Sequence, residues 1–351
     1  MSINCSVTEA LFVQLFINTN PNQQMAKSRQ KTSIQDIKIQ DFIFHVVHHG
    51  ESEPKLMNKT PINGFEVFFK ERIAEIIDGN KFSFVENSYF YVNIKKINNN
   101  ESSFVDISKE LAIQFHKDDE RIKAGVMILM KAEICNKLAY ILLKYDHAEV
   151  VAYNTSITGE AVLTELKNTF SKEKYALQKS AIIYINDDYV IVNDLSNRVN
   201  ITRFFKQFLG VQRHYSQSVL TEKVRKSFLK TVAHFKDELP TSFTSQAAGK
   251  YYEIIQAQDS FNKDTFLDIA FGAFSLEKIE KVFDSELKKQ DIYGENFEFD
   301  KNITPPKQKK FKTKEGVQIQ FPTEAQDTIK IITEGNKSVI TIVTEKLTEI
   351  S

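Results

Sequence analysis

Gly125 to Leu143, GVMILMKAEICNKLAYILL, is the stretch that decides the fold class. Gly125–Met130 and Lys137–Leu143 are apolar runs that read as two buried strands joined by a turn around Asn136. Working outward, Glu149 to Tyr153 continues the sheet. Ala181–Asn186 and Tyr189–Asn193 flank Asp187-Asp188 as a hairpin. Upstream, Ile107, Leu111 and Phe115 lie four residues apart and predict a helix beginning near Ser103. Phe65, Phe68, Phe69, Ile73, Ile76 and Ile77 predict another, with Gly79 as its C-terminal cap. Ile37 to Val46 reads as a strand that ends at His48-His49-Gly50. Residues 7 to 17 have the spacing of a short amphipathic helix, and the polar run 18 to 33 reads as a loop or arm. Residues 1–195 are therefore expected to form an α+β domain with a mainly antiparallel sheet and flanking helices.

After Asp194 the pattern changes. Ile201, Phe204, Phe205, Phe208 and Leu209 make a helical stripe closed by Gly210, and Leu220, Val224, Phe228, Val232 and Phe235 make a second one that stops before Pro240. Further helices are expected around Gln246–Gln258, Asp264–Phe271 and Leu276–Lys289. Lys301 to Lys314, KNITPPKQKKFKTK, reads as an extended basic loop because its two prolines bar a regular helix. Val317, Ile319 and Phe321 alternate as a strand does, and Thr328–Ile332 and Ser338–Val343 flank a hairpin turn at Glu334 to Lys337. Residues 196–351 thus read as a basic helical region followed by a Pro/Lys loop and a small C-terminal β-hairpin sheet.

Composition narrows the function. The chain has 351 residues, 42% of them hydrophobic and 26% charged, the make-up of an ordinary globular protein with a buried core. Its 46 basic and 46 acidic residues cancel, so an anionic partner has to be met by a patch rather than by the whole molecule. Two cysteines, Cys5 and Cys135, are too few and too far apart for a disulfide framework or zinc ribbon, and fit a reducing cytoplasm. No signal peptide is legible at the start, and no apolar run approaches the roughly 20 residues that span a bilayer. No membrane partner is expected.

The charge is segregated. Between Arg198 and Lys236 lie nine basic residues (Arg198, Arg203, Lys206, Arg213, Lys223, Arg225, Lys226, Lys230, Lys236) and one acid, Glu222. Lys301 to Lys314 adds six lysines and no acid, which leaves 31 basic and 45 acidic residues elsewhere. Lys223, Lys226 and Lys230 are spaced to share a helix face. Such a patch can be a solvated face, but without interspersed acids its self-repulsion is relieved best by an anion. Phosphate is the natural one, since each Lys or Arg contact releases counterions and gives salt-sensitive, sequence-independent affinity. About ten residues separate the two helical stripes, too many for a helix-turn-helix.

Several segments together resemble the bacterial nucleoid-associated protein family typified by NdpA (YejK). They are DFIFHVV with His45, SSFVDISKELAIQF followed by IKAGVMILM, the hairpin before NDDYVIVNDLSN, ITRFFKQFLGVQ, and the terminal GVQIQF with its hairpin, spread over roughly residues 35 to 345. The resemblance implies a DNA-binding protein of the nucleoid with no established catalytic site. The polar arm at 18–33 and the Pro/Lys loop depart from the compact family pattern.

The expected contacts to duplex DNA are therefore Arg198, Arg203, Lys206, Arg213, Lys223, Arg225, Lys226, Lys230, Lys307, Lys309, Lys310, Lys312 and Lys314. Phe311, among the lysines, either stacks on a base or anchors the loop. His45, His48 and His49 form H-x-x-H-H, but on a strand residue 48 points away from the other two, so no metal is assigned. Asp118-Asp119-Glu120 and Asp187-Asp188 read as solvated turn residues rather than nuclease carboxylates. Phosphate cradles of the G-x-G-x-x-G and G-x-x-x-x-G-K-[ST] kinds are absent, and Cys135 reads as a buried, inert thiol. Neither a reaction nor a cofactor is legible. The rival readings are a basic face that docks an acidic protein, including a second copy of the chain or a protein acting on DNA, and a metal-dependent nuclease.

Overall fold

The computed structural model describes residues 34–348 except 60, 63, 118, 120, 121, 147–176, 188, 304–307, 323, 324, 326, 327, 335, 336 and 347. The expected helix at 7–17, the arm at 18–33 and the strand at 149–153 lie outside the described residues.

The hairpin read from 125–143 is the centre of an eight-stranded sheet. Strands β1 (Ile37–Val47), β2 (Lys55–Leu56), β3 (Asn80–Phe84), β4 (Gly125–Ile134), β5 (Lys137–Asp146), β6 (Leu177–Tyr184), β7 (Val190–Asp194) and β8 (Val211–Arg213) are ordered β2-β1-β4-β5-β6-β7-β3-β8. Every pairing is antiparallel. Successive strand residues point to opposite faces, and both faces are covered, which is why these strands read as unbroken apolar runs. Ile128, Met130, Ile141 and Leu143 pack with Phe69, Ile73 and Ile76 of α1 (Glu66–Ile76). Met127, Leu129, Tyr140 and Leu142 pack on the other side with α2 (Tyr89–Asn98), α3 (Phe104–Phe115) and α4 (Arg203–Leu209).

Cys135 and Asn136 form the two-residue turn between β4 and β5, with φ of 48° and 63° and Ile134 paired to Lys137. A two-residue hairpin needs positive φ at both positions to match the strand twist. The turn carries Cys135 to the surface, so the expectation of a buried thiol is corrected: it is a free, exposed cysteine. Gly79 plays a different part from a cap. The amide of Asn193 donates to the Ile76 carbonyl at the end of α1 (3.1 Å), and a Cβ on Gly79 would sit 2.6 Å from that amide nitrogen.

Residues 80–98 carry β3 and α2, which the hydrophobic pattern did not reveal. In α2 the inward stripe is Phe90, Asn93, Ile94 and Ile97, so a polar residue interrupts the apolar spacing, and Ser88 caps the helix by accepting from Tyr91 N–H (3.2 Å).

The helical region has its own core. Helices α5 (Gln217–His234), α6 (Thr241–Ser245), α7 (Ala247–Ala257), α8 (Lys263–Phe271) and α9 (Leu276–Lys289) surround Phe228, Tyr251, Phe266, Phe271 and Phe283. A two-stranded ribbon of β9 (Ser260–Phe261) and β10 (Phe297–Glu298) closes it. The chain ends in two hairpins, β11 (Gln308–Lys312) with β12 (Gln318–Pro322) and β13 (Ile329–Glu334) with β14 (Lys337–Ile342). Residues 308–312 of the expected Pro/Lys loop are thus a paired strand. Phe311 stacks on Phe321 with ring centroids 5.7 Å apart and 14° between planes, which makes it an anchor of its own hairpin.

Candidate nucleic-acid interface

Three of the basic residues sit where the sheet hands over to the helices. Asp194, at the end of β7, accepts from Lys179 Nζ (2.7 Å), Ser196 N–H (3.0 Å), Thr202 N–H (2.9 Å) and the Thr202 hydroxyl (2.8 Å). That buried carboxylate fixes both ends of the loop that enters α4. Asn80 grips the loop from β3 by donating to the Arg198 carbonyl (2.9 Å). Backbone is held while side chains reach solvent: Arg198, Arg203 and Lys206 are exposed. Phe205, Phe208 and Leu209 turn the other face of α4 onto the sheet, and Gly210 (φ 62°) ends the helix where a Cβ would meet Ser88 Oγ at 2.8 Å.

Arg213, on β8, points inward. Its Nη1 donates to Glu295 (2.8 Å), its Nη2 donates to the carbonyls of Val199 (3.1 Å) and Asn296, and its guanidinium lies 5.1 Å from the Phe82 ring centroid. Burial pulls the guanidinium below its usual value, and Glu295 opposes that pull. Glu295 is 3% exposed and also accepts from Lys81 N–H (3.0 Å). Burial raises its carboxyl to about 7 even though Arg213 and Lys81 favour the charged form. This joint ties the sheet edge to the helical region.

Helix α5 starts at Ser216, whose side chain caps it through Val219 N–H (3.4 Å), and buries Leu220, Val224, Phe228 and Val232. Its cations divide. Lys223 donates to the Gln290 carbonyl at the end of α9 (2.7 Å) and lies 3.7 Å from the Tyr215 ring centroid. Burial lowers its ammonium below the usual value. Arg225 pairs with Glu222 (2.8 Å), and Lys230 stands 3.8 Å from Glu286 of α9. Lys226 and Lys236 are exposed. Arg198, Arg203, Lys206, Lys226 and Lys236 have no acidic partner among the described residues.

Lys223 meets the C-terminal end of α9 and Lys230 a point one turn earlier, so α5 and α9 run antiparallel. This brings Lys289, which shares Glu286 with Lys230, beside the α5 cations. Sequence reasoning missed it because α9 alternates acid and base, which reads as a balanced face.

Among the C-terminal lysines, Lys309, Lys310 and Lys312 lie on β11 and Lys314 is exposed in the turn that follows, while Lys307 lies outside the described residues.

The histidines form a structural cluster. His48 has a φ of 58°, so the strand alternation expected from H-x-x-H-H ends before it. His45 accepts from Met57 N–H (3.1 Å) and faces Ser108 Oγ at 3.2 Å. His48 and His49 instead meet His116, at the end of α3, with ring centroids 5.7 and 5.4 Å apart. Burial lowers both His45 and His48 to about 4, with Lys109 and Lys144 respectively adding to the effect. No group of three or more His, Cys, Asp or Glu among the described residues has metal-holding geometry. Asp187 lies in the β6–β7 turn, its N–H bonded to the Tyr184 carbonyl (3.1 Å). None of the described helices is long and apolar enough to cross a membrane.

Comparison with known proteins adds one finding. The family model described as nucleoid-associated protein YejK matches residues 43–345. No curated protein gives a significant match.

Proposed function

The chain belongs to the YejK nucleoid-associated family, and from that premise we propose that it binds double-stranded DNA through the phosphate backbone, with little sequence preference and without catalytic turnover. The observation that carries the proposal is the set Arg198, Arg203, Lys206, Lys226 and Lys236. These cations are exposed, unpaired with acid among the described residues, and mounted on backbone that the core holds. Lys230 and the C-terminal lysines Lys307, Lys309, Lys310, Lys312 and Lys314 are secondary contacts in this reading. Arg213 and Lys223 act mainly inside the protein, because each has a partner there, and Arg225 is offset at the surface by Glu222. Helices that present Lys and Arg to phosphate position a protein on the duplex but do not read bases.

The test is fluorescence anisotropy of unrelated duplexes titrated with protein at several salt concentrations. Affinity should be similar across sequences, and its logarithm should fall linearly with log salt by about 0.9 per phosphate neutralised. A salt-independent affinity, or binding confined to one sequence, would refute the proposal. Retention of plasmid integrity with magnesium or manganese tests the absence of turnover.

A further inference from the structure

Strand pairing gives the β11–β12 hairpin two unlike faces. In the register Gln308↔Pro322, Lys309↔Phe321, Lys310↔Gln320, Phe311↔Ile319 and Lys312↔Gln318, alternate positions share a face. Phe311, Ile319 and Phe321 fall on one of them, where Phe321 is buried and the other two are half-buried. The hairpin lies against α6, which begins five residues after Lys236. Five residues span at most about 18 Å, so the ribbon stands near the end of α5 that carries Lys236.

The other face holds Gln308, Gln318 and Gln320, all exposed, with Lys310 and Lys312 at the positions paired to Gln320 and Gln318. Gln320 donates through Nε2 to Gln308 Oε1, which fixes the two amides relative to each other. Gln320 Oε1 and Gln308 Nε2 keep no partner among the described residues. No paired position carries an acid. Glu315 stands beyond them in the tip turn, which closes through Thr313 N–H to the Val317 carbonyl (2.8 Å).

An acidic protein would be held by the ammonium groups alone and has no use for the ordered amides. Base edges use both, since Gln pairs with N6 and N7 of adenine and Lys with O6 and N7 of guanine. The major groove, about 12 Å wide, admits a two-stranded ribbon, whereas the minor groove is about 6 Å wide. Gln318 and Gln320 are about 6.8 Å apart along their strand, which matches two base-pair steps of about 3.4 Å.

We propose that β11–β12 lies in the major groove with its Gln/Lys face toward the purine edges, while the helical cations hold the phosphates. This rests on the duplex binding proposed above. Both pairings use the purine N7, Gln taking adenine and Lys guanine, so the ribbon touches bases without selecting a sequence.

Anisotropy titrations with a duplex whose purines are replaced by 7-deazaadenine and 7-deazaguanine test this. The replacement removes N7 and leaves phosphates and minor-groove edges in place. Wild-type affinity should fall by about tenfold with the salt slope unchanged. Gln308→Ala/Gln318→Ala/Gln320→Ala should bind the ordinary duplex about fivefold more weakly, again with the wild-type salt slope, and should lose only about threefold more on the 7-deaza duplex. Equal wild-type affinity for the two duplexes, or a variant weakened only through a shallower salt slope, would overturn groove entry while leaving phosphate binding intact. Absence of salt-dependent binding to either duplex would overturn both.

Discussion

Replacing Arg213 by Met separates a structural cation from a DNA contact. In the wild type the guanidinium neutralises a carboxylate that is almost wholly buried and supplies donors to the Val199 and Asn296 carbonyls. Raising Glu295 from 4.5 to about 7 corresponds to about 3 kcal/mol against its charged form even with Arg213 in place. Arg213→Met removes the compensation and should cost about 3–5 kcal/mol, the usual toll of breaking a buried pair from one side. Glu295→Gln keeps an acceptor for Lys81 N–H and should cost only about 1–2 kcal/mol. The double variant should recover part of the loss, giving a coupling of about 2 kcal/mol in urea titrations. The pH dependence has a definite sign. A carboxyl with a raised folded pKa contributes stability below its unfolded value that is lost as pH rises through about 7, so Glu295→Gln should flatten that part of the profile. The DNA salt slope of folded Arg213→Met should match wild type. A coupling within about 0.5 kcal/mol of zero, or a slope reduced by about one with stability unchanged, would refute the structural assignment.

Other changes test other joints. Lys223→Met should cost about 1 kcal/mol in denaturant titration by uncapping α9 and leaving Tyr215, while leaving the DNA salt slope unchanged. Cys135→Asn should gain about 0.5–1 kcal/mol, because Asn tolerates the left-handed backbone of that turn better, and equal denaturation midpoints would contradict this. His48 is held neutral in the fold with its pKa lowered to about 4, so its contribution is full above pH 6.5 and fades as pH falls toward 4, by about 3 kcal/mol in total. His48→Gln should therefore lose less stability than wild type between pH 7 and pH 5; parallel pH profiles would show that the ring does not titrate.

Much of the fold was legible because burial leaves periodic traces. The β4–β5 hairpin, the α1, α3, α4 and α5 stripes and the β13–β14 hairpin all carry uninterrupted apolar spacing. Helix α2 escaped notice because its inward face includes Asn93, and β8 escaped because three residues are too short to show alternation. The site was legible as charge and not as geometry. Counting marked the Arg198–Lys236 segment, but only tertiary structure divides Arg213, turned onto Glu295, from Lys206, turned to solvent. The same holds for His116, which meets His48 and His49 from 68 and 67 positions away, and for Lys289 of α9, which antiparallel packing brings beside α5.

The central claim is that the exposed cations between Arg198 and Lys236 neutralise DNA phosphates. Its most direct test is the salt dependence of duplex binding by wild type and by the variant Arg198→Gln/Arg203→Gln/Lys206→Gln/Lys226→Gln/Lys236→Gln. If all five contact phosphate, the slope of log affinity against log salt should become shallower by about 4.5 in the variant, with the urea midpoint unchanged. An unchanged slope would place the DNA contact elsewhere and contradict the claim.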